Sequence, residues 1–536
     1  MREGRRDASS RAAWTSARSL APPLVLVALA VPLLLWRLGG YSLVNGDEAL
    51  YHAIAERMLE SGDWLRLEFK SQPRPYDTFM NAPLQYWARA ILIAGFGSNL
   101  WTTRILSALF GVATVLLVWR IGVRLAGRGA GFLAGLVLLT TLQFVYLHSA
   151  RTGELETALC CFLLLAAWLF VRAVEGRGGF LAHHVCLAVV LDLKLPLVLA
   201  PALAELTYFA TTPSARPRFG RWVGVGFAVL PVAILWHAAQ WLSLGDTGRE
   251  ILATMLGQAA GSVAPEAGGG LGENAAYYLG VLLFGAFPWV FALPPALLGV
   301  LARARSGEER RRWRVLGLYA AALFLFYVGV SKRAPWYVIP VYPFLSLFVG
   351  AWLAALVRRA PRPPEITAMG AIAAACFFAG VGVASFHPFV HEALWIPMRV
   401  HWRSVLGVSP VLALPLGAAV LAAGLLVLAR AGGERSSRAL ALVFVLGLAG
   451  LGLARVVAPL RHLDHQSDVA RLHRELAERR AEGLPIDTPI ELPGAPYWVI
   501  RYYFADDYEI VVRPRPTSEP FNSRGGIFEL APKRER

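Results

Sequence analysis

Apolar runs of bilayer length recur from Ala21 to about residue 457, and no soluble fold buries that many of them. A spanning helix satisfies its own backbone over ~20 residues, so each run is committed to one helix. The first, Ala21–Trp36, follows a basic stretch with Arg2, Arg5, Arg6, Arg11 and Arg18. No small-residue cleavage site follows it, which predicts a retained helix with a cytoplasmic N-terminus. Further spans are predicted near 104–123, 130–149, 154–173, 180–192, 195–210, 222–242, 276–300, 315–331, 336–357, 366–386, 408–429 and 438–457, giving about 13 in all. Only 16% of the 536 residues are charged. A soluble domain carries about 25%, so a soluble enzyme and a disordered chain are both excluded.

The net charge of +16 would suggest a polyanion partner in a soluble protein. Here its distribution argues otherwise. With the N-terminus inside, the predicted inner loops include short, Arg-rich stretches at 120–129, 211–221, 301–314, 358–364 and 430–438. The outer loops are longer and poorer in positive charge. That bias is a topology signal, and no nucleic-acid partner is expected. An odd number of spans puts the C-terminus outside. Residues 1–457 therefore read as a membrane domain with an outer loop at 39–103. Residues 458–536 read as a small extracytoplasmic α/β domain resting on it. Within that domain Asp468 to Glu482 is predicted helical, and Tyr497–Phe504 and Tyr508–Val512 are predicted as strands. Cys160, Cys161, Cys186 and Cys376 all lie in apolar runs and read as small buried hydrophobes.

Four charged segments break the apolar pattern. The outer loop opens on Gly46-Asp47-Glu48-Ala49-Leu50-Tyr51 and continues through Tyr76 to Asn81-Ala82-Pro83-Leu84-Gln85-Tyr86-Trp87. By spacing alone Asp47 caps a short interfacial helix and Glu48 complements its dipole; a capping carboxylate can also serve as a base. The second segment is Ala150-Arg151-Thr152-Gly153-Glu154-Leu155-Glu156, at the outer end of two spans. Ionisable groups at such depth are costly and tend to be functional, although an interfacial ion pair accounts for Arg151 and one acid. Third comes Asp192-Leu193-Lys194-Leu195-Pro196, a break that puts Lys194 at the outer face, as a ligand or a snorkelling turn residue. The fourth is Ser331-Lys332-Arg333-Ala334-Pro335-Trp336-Tyr337, an outer turn whose two cations oppose the inside bias and suit an anion such as a lipid phosphate.

In their order, these segments resemble the bacterial GT-C glycosyltransferases. The resemblance is closest to the lipid A aminoarabinose transferases and more distant to the protein O-mannosyltransferases, and it runs to about residue 357. It implies transfer of a sugar from a polyprenyl-phosphate donor, with inversion, at the outer face of the bacterial cytoplasmic membrane. The acceptor would be lipid A, another envelope glycan or a protein, and the enzyme a monomer among membrane lipids. Carried over by position, Asp47, Glu48 and Glu156 are the candidate catalytic acids. Arg151, Lys194, Lys332, Arg333 and Tyr337 would bind the donor phosphate, and Tyr76, Asn81 and Tyr86 would form the substrate loop. Asp47 and Glu156 would hold a divalent cation if one is used. Two departures bear on the substrate. Asn81 stands where the aminoarabinose transferases carry lysine, and Glu156 where the pattern has aspartate.

Two other classes compete with this reading. A lipid-linked sugar flippase needs ionisable groups along a path through mid-membrane, whereas the polar clusters here gather at the outer ends. A non-catalytic lipid- or sugar-binding protein would tolerate both departures. A metal site from His387, His391, Glu392 and His401 is disfavoured because Pro388 interrupts the helix it needs. His183-His184 reads as an interface feature near an inner helix end.

Overall fold

The structure is a computed structural model that describes residues 21–43, 46–65, 67–69, 72–75, 83–146, 148–246, 249, 253, 270–303, 306–330, 333–359, 361–385, 433–457, 460, 468–484, 490–493, 497–504, 508–513 and 527–532. The chain is mainly helical. α1 (Ala21–Leu35) leads to the outer-loop helix α2 (Gly46–Ser61), a ribbon of β1 (Glu68–Phe69) and β2 (Gln72–Pro75), then α3 (Leu84–Phe96) and α4 (Leu100–Ala126). Next come α5 (Arg128–Leu139), α6 (Leu142–Tyr146), α7 (Glu156–Val174), α8 (Leu181–Leu193), α9 (Leu199–Thr211), α10 (Phe219–Ala233) and α11 (Leu235–Leu244). After them run α12 (Leu271–Gly285), α13 (Leu293–Arg303), α14 (Gly307–Gly329), α15 (Tyr342–Arg358), α16 (Pro363–Ser385) and α17 (Gly433–Val457). α18 (Asp468–Ala481), β3 (Ile490–Pro493), α19 (Tyr497–Phe504), β4 (Tyr508–Arg513) and β5 (Ile527–Pro532) complete the chain.

Local chemistry sets these limits. The Asn99 side chain accepts from the Trp101 and Thr102 amides while Thr102 Oγ1 accepts from the Asn99 amide, a reciprocal cap that starts α4. α8 stops at Leu193: Lys194 turns out of the helical region (φ −159°, ψ 86°), and Pro196, in the first turn of the next short helix, has no N–H to continue the ladder. The predicted span at 276–300 is bent by 110° between Leu271–Gly285 and Trp289–Ala302, around Pro288, which has no N–H to continue the ladder. The span predicted over 130–149 also ends early, as α5 and the one-turn α6.

Among the described residues, five helices are long and apolar enough to cross a membrane, and the bent pair makes six. α1, α5, α8 and the helical stretch Leu195–Thr211 are shorter. The predicted span at 408–429, the His387, His391, Glu392 and His401 group, Lys332, Tyr76 and Asn81 lie outside the described residues. The span Pro335–Arg358 is 89% buried and that at Pro213–Ala239 only 11%, so α15 forms the centre of the bundle and α10 its rim. α15 approaches α5 closely at Gly350, where a Cβ would come within 2.5 Å of Ala134 backbone; small residues allow such contact between spanning helices.

α4 and α7 run side by side. Thr157 Oγ1 donates to Ser107 O (2.9 Å) and Ser107 Oγ to Glu154 O (2.5 Å) near their first turns. At the opposite end the Arg-rich loops meet: Arg358 reaches Ala126 O, Arg312 pairs with Glu175 at 2.5 Å, and Arg314 reaches Thr211 O. His183 is buried with Nε2 3.2 Å from Glu205 Oε2, which also accepts from Trp222 Nε1, and Tyr319 donates to Oε1. This network ties α8, α9, α10 and α14 together. The four thiols are free, with Cys161 half-buried and the others buried.

The C-terminal segment corrects one expectation. Tyr497–Phe504 is a helix, not a strand, because Ile500 and Phe504, one turn apart, are buried against Leu43 and Ala49. The sheet beside it is antiparallel in the order β3-β5-β4, and β4 covers the predicted strand Tyr508–Val512.

Candidate active site

Four chain segments bring charged groups to the ends of α2, α7 and α8. Asp47 opens α2. Its Oδ2 lies 3.3 Å from His148 Nε2, and 44% of its side chain is exposed. The other ring nitrogen, Nδ1, is 3.1 Å from Glu156 Oε2 at the start of α7, and Glu154 Oε1 lies 3.9 Å from Nε2. Glu156 Oε1 in turn is 3.8 Å from Lys194 Nζ. Lys194 sits 4.3 Å above the Tyr337 ring, itself stacked on Tyr327 at 4.8 Å. Asp47, Glu156, Lys194 and Tyr337, distant in sequence, therefore meet in one cluster.

The unforeseen member is His148. It stacks on Trp336 with centroids 4.2 Å apart and planes 6° from parallel. Its φ of 61° is left-handed, a region a non-glycine residue rarely adopts and that marks strained functional turns. The sequence placed it in the last turn of a predicted span. The available signal was that it is the one titratable group in the stretch Gln143-Phe144-Val145-Tyr146-Leu147-His148 besides a tyrosine. Burial pulls its pKa down, but the charges of Glu154 and Glu156 and the hydrogen bonds to Asp47 and Glu156 outweigh it. They hold His148 well above the usual histidine range. Glu154 is raised as well, here by burial itself, to about 8 against the opposing pull of His148. With Glu154 protonated, Asp47 and Glu156 are balanced by His148 and Lys194.

Several expected roles are corrected. Glu48 is fully buried and paired with Arg104, Nε–Oε1 2.6 Å, while Oε1 also accepts from the Gly153 amide at 2.9 Å. Both oxygens are engaged, so Glu48 braces the loop rather than offering a carboxylate to substrate. Arg151 is buried too. Its NH1 and NH2 donate to Leu33 O (2.6 Å) and Trp36 O (2.8 Å), satisfying carbonyls orphaned at the end of α1; it does not face a phosphate. Arg333 bonds Asn274 Oδ1 at 2.5 Å and pairs with Glu273 at 2.9 Å. Tyr86 is buried edge-on to Tyr51 rather than displayed on a loop. The expected cation pair, Asp47 and Glu156, holds opposite nitrogens of one imidazole. Among the described residues no group of three His, Cys, Asp or Glu has metal-holding geometry.

Comparison with known proteins finds similarity of sequence and of fold. Residues 80–241 match the family model described as dolichyl-phosphate-mannose-protein mannosyltransferase. The chain is 27% identical over 368 residues to the undecaprenyl phosphate-α-4-amino-4-deoxy-L-arabinose arabinosyl transferase of Pectobacterium carotovorum, covering 62% of this chain and 59% of that protein. It thus spans about three-fifths of the length of such relatives. The structure of ArnT from Cupriavidus metallidurans bound to undecaprenyl phosphate superposes with a TM-score of 0.62 at 21% identity, covering 90% of this chain and 84% of that one. The oligosaccharyltransferase AglB of Archaeoglobus fulgidus gives 0.51 at 11% identity, covering 91% and 64%. At such identities the likeness is one of fold, and the chain shares the fold of ArnT and, more distantly, of AglB.

Proposed function

We propose that this protein is a glycosyltransferase that moves a sugar from a polyprenyl-phosphate donor to an extracytoplasmic acceptor. The observation that carries the reading is the convergence of Asp47, Glu156, Lys194 and Tyr337. Asp47 is the exposed carboxylate of the group and acts as general base on the acceptor hydroxyl. Lys194, one step behind Glu156, offsets charge on the departing lipid phosphate, and Tyr337 forms the floor beneath the ammonium. Attack from the Asp47 side with the phosphate leaving opposite inverts the anomeric centre. Undecaprenyl-phosphate aminoarabinose is the first donor to test, because the relatives' names specify it. Lipid A, an envelope glycan or a protein is the acceptor class.

The finer topology belongs to the same proposal. It has about 13 spans, an inner N-terminus, a membrane domain at 1–457 and an extracytoplasmic α/β domain at 458–536, in a monomer of the bacterial cytoplasmic membrane. The Arg-rich loops gather at the end opposite His148, which supports this sidedness.

The test is transfer by membranes carrying the full chain, with candidate polyprenyl-phosphate sugars and the released lipid followed by mass spectrometry. Asp47→Asn is expected to lower turnover by about 10²–10⁴-fold while donor still binds. Near-normal turnover in that variant overturns the proposal.

A further inference from the structure

The geometry points to His148 as a positioning residue for the transfer reaction: its doubly protonated ring bridges Asp47 to Glu156 and fixes the base, with Trp336 as the clamp. The inference rests on the glycosyltransferase reading above and adds a residue that reading does not require.

Three independent observations converge on the ring. Both nitrogens face carboxylate oxygens, Nε2 to Asp47 at 3.3 Å and Nδ1 to Glu156 at 3.1 Å. Ionised carboxylates only accept hydrogen bonds, so a neutral imidazole would leave one nitrogen lone pair facing an anion. The ring plane is fixed by the Trp336 stack, a geometry that also favours a cation over an indole face. The backbone reaches this pose only through a left-handed φ of 61°, a cost that burial of an apolar side chain would not require. His183 and His184 sit on ordinary helical backbone with Nδ1 on the carbonyls Ala166 O and Phe180 O, whereas at His148 both nitrogens meet carboxylates.

The consequence is electrostatic as well as geometric. The groups facing His148 are Asp47 from α2, Glu154 from the turn before α7 and Glu156 from α7, with Lys194 of the α8 end behind Glu156. With Glu154 protonated, the carboxylates of Asp47 and Glu156 alone would still repel an anionic lipid phosphate. The imidazolium offsets them and stabilises the ionised form of Asp47, keeping it available to accept the hydroxyl proton down to lower pH. In the step itself the acceptor O–H bond breaks, its proton goes to Asp47, the new glycosidic bond forms, and the lipid phosphate leaves with the bonding pair. His148 keeps its proton throughout.

The test compares wild type, His148→Gln and Asp47→Asn in the membrane transfer assay over a range of pH. Gln keeps a hydrogen-bonding side chain but carries no charge. Expected is a fall in kcat of about tenfold to a hundredfold. The acidic limb of the rate profile should move to higher pH by about one unit or more, because Asp47 loses the cation that favours its charged form. Donor KM should change little. Wild-type kcat with an unmoved acidic limb, alongside an inactive Asp47→Asn, overturns the role of His148 alone. An active Asp47→Asn overturns the underlying function instead. Should His148→Gln fail to accumulate in membranes, Trp336→Leu replaces it, since it frees the ring without removing its charge. A lowered kcat supports the clamp, and an unchanged kcat and profile overturn it.

Discussion

Glu154 is buried beside an imidazole that two other acids already share, and its carboxyl keeps its proton up to about pH 8. The sign of its effect on stability follows from linkage. Its ordinary value is 4.5, so the folded chain holds a proton that the unfolded chain releases between that value and about 8. Its contribution to stability is full below 4.5 and is lost as pH rises to about 8. His148, raised above 6.5, acts in the same direction: present below 6.5, lost as pH climbs through its folded value. Thermal midpoints of the detergent-solubilised protein should therefore fall between about pH 5.5 and about pH 9. Glu154→Gln should flatten that fall, and an equally steep fall in the variant would show that the buried acid plays no part. At this scale the sequence was uneven as a guide. Asp47 and Lys194 stood out because charge at an outer break is costly and needs a use. Spacing did not separate Asp47 from Glu48, or Arg151 from Glu156. Adjacent residues point in different directions, and only tertiary packing decides which charge turns inward to a carbonyl or a counterion.

One turn sets the spacing between elements. The segment from His148 to Leu155 lies against α4 and α2, and Gly153 is its tightest point. A Cβ there would come 2.8 Å from both Glu48 Cγ and Thr103 O. Arg89 of α3 donates to the Gly153 carbonyl as its amide donates to Glu48, so the turn is bonded on both sides and cannot shift freely. Gly153→Ala should cost about 1–3 kcal/mol through overpacking and displace Glu156 from Lys194. It should appear as a lowered thermal midpoint with a disproportionate loss of kcat. A variant with native midpoint and turnover would mean the turn can give way. The helices themselves were legible, because ~20 apolar residues ended by charge or proline admit few alternatives. Their interruptions were less so: the split of 130–149 into α5 and α6 leaves the apolar pattern intact. The aromatic run Tyr497–Phe504 carries strand propensity, yet forms a helix because Ile500 and Phe504 dock together on a surface from a distant part of the chain.

That docking links the C-terminal segment to the chemistry. Leu43 and Ala49, on either side of Asp47, share one apolar cluster with Val469, Leu476, Ile500, Phe504, Tyr508 and Leu530. The Leu43 amide donates to Tyr503 Oη at 3.2 Å, and Tyr502 sits edge-on to His52 at 5.3 Å. His52 is in turn held by Thr103 of α4 at 2.9 Å. Helix α2 is thus gripped by the bundle on one side and by α19 on the other, and its first turn carries the proposed base. A short amphipathic helix at a membrane surface gains little order from its own hydrogen bonds, so the C-terminal segment supplies part of the rigidity that positioning requires. Phe504→Ala tests this at a distance from every charged group of the site. Truncating that buried ring should cost about 3–5 kcal/mol of docking energy, while the spanning helices, which satisfy their own backbones, stay inserted. Limited proteolysis of sealed vesicles should then cut near α2 and α19 much faster than in wild type, and kcat should fall with the amount of membrane-inserted protein unchanged. Full turnover in a variant whose α19 is freely cleaved would show that the bundle alone holds Asp47 in place.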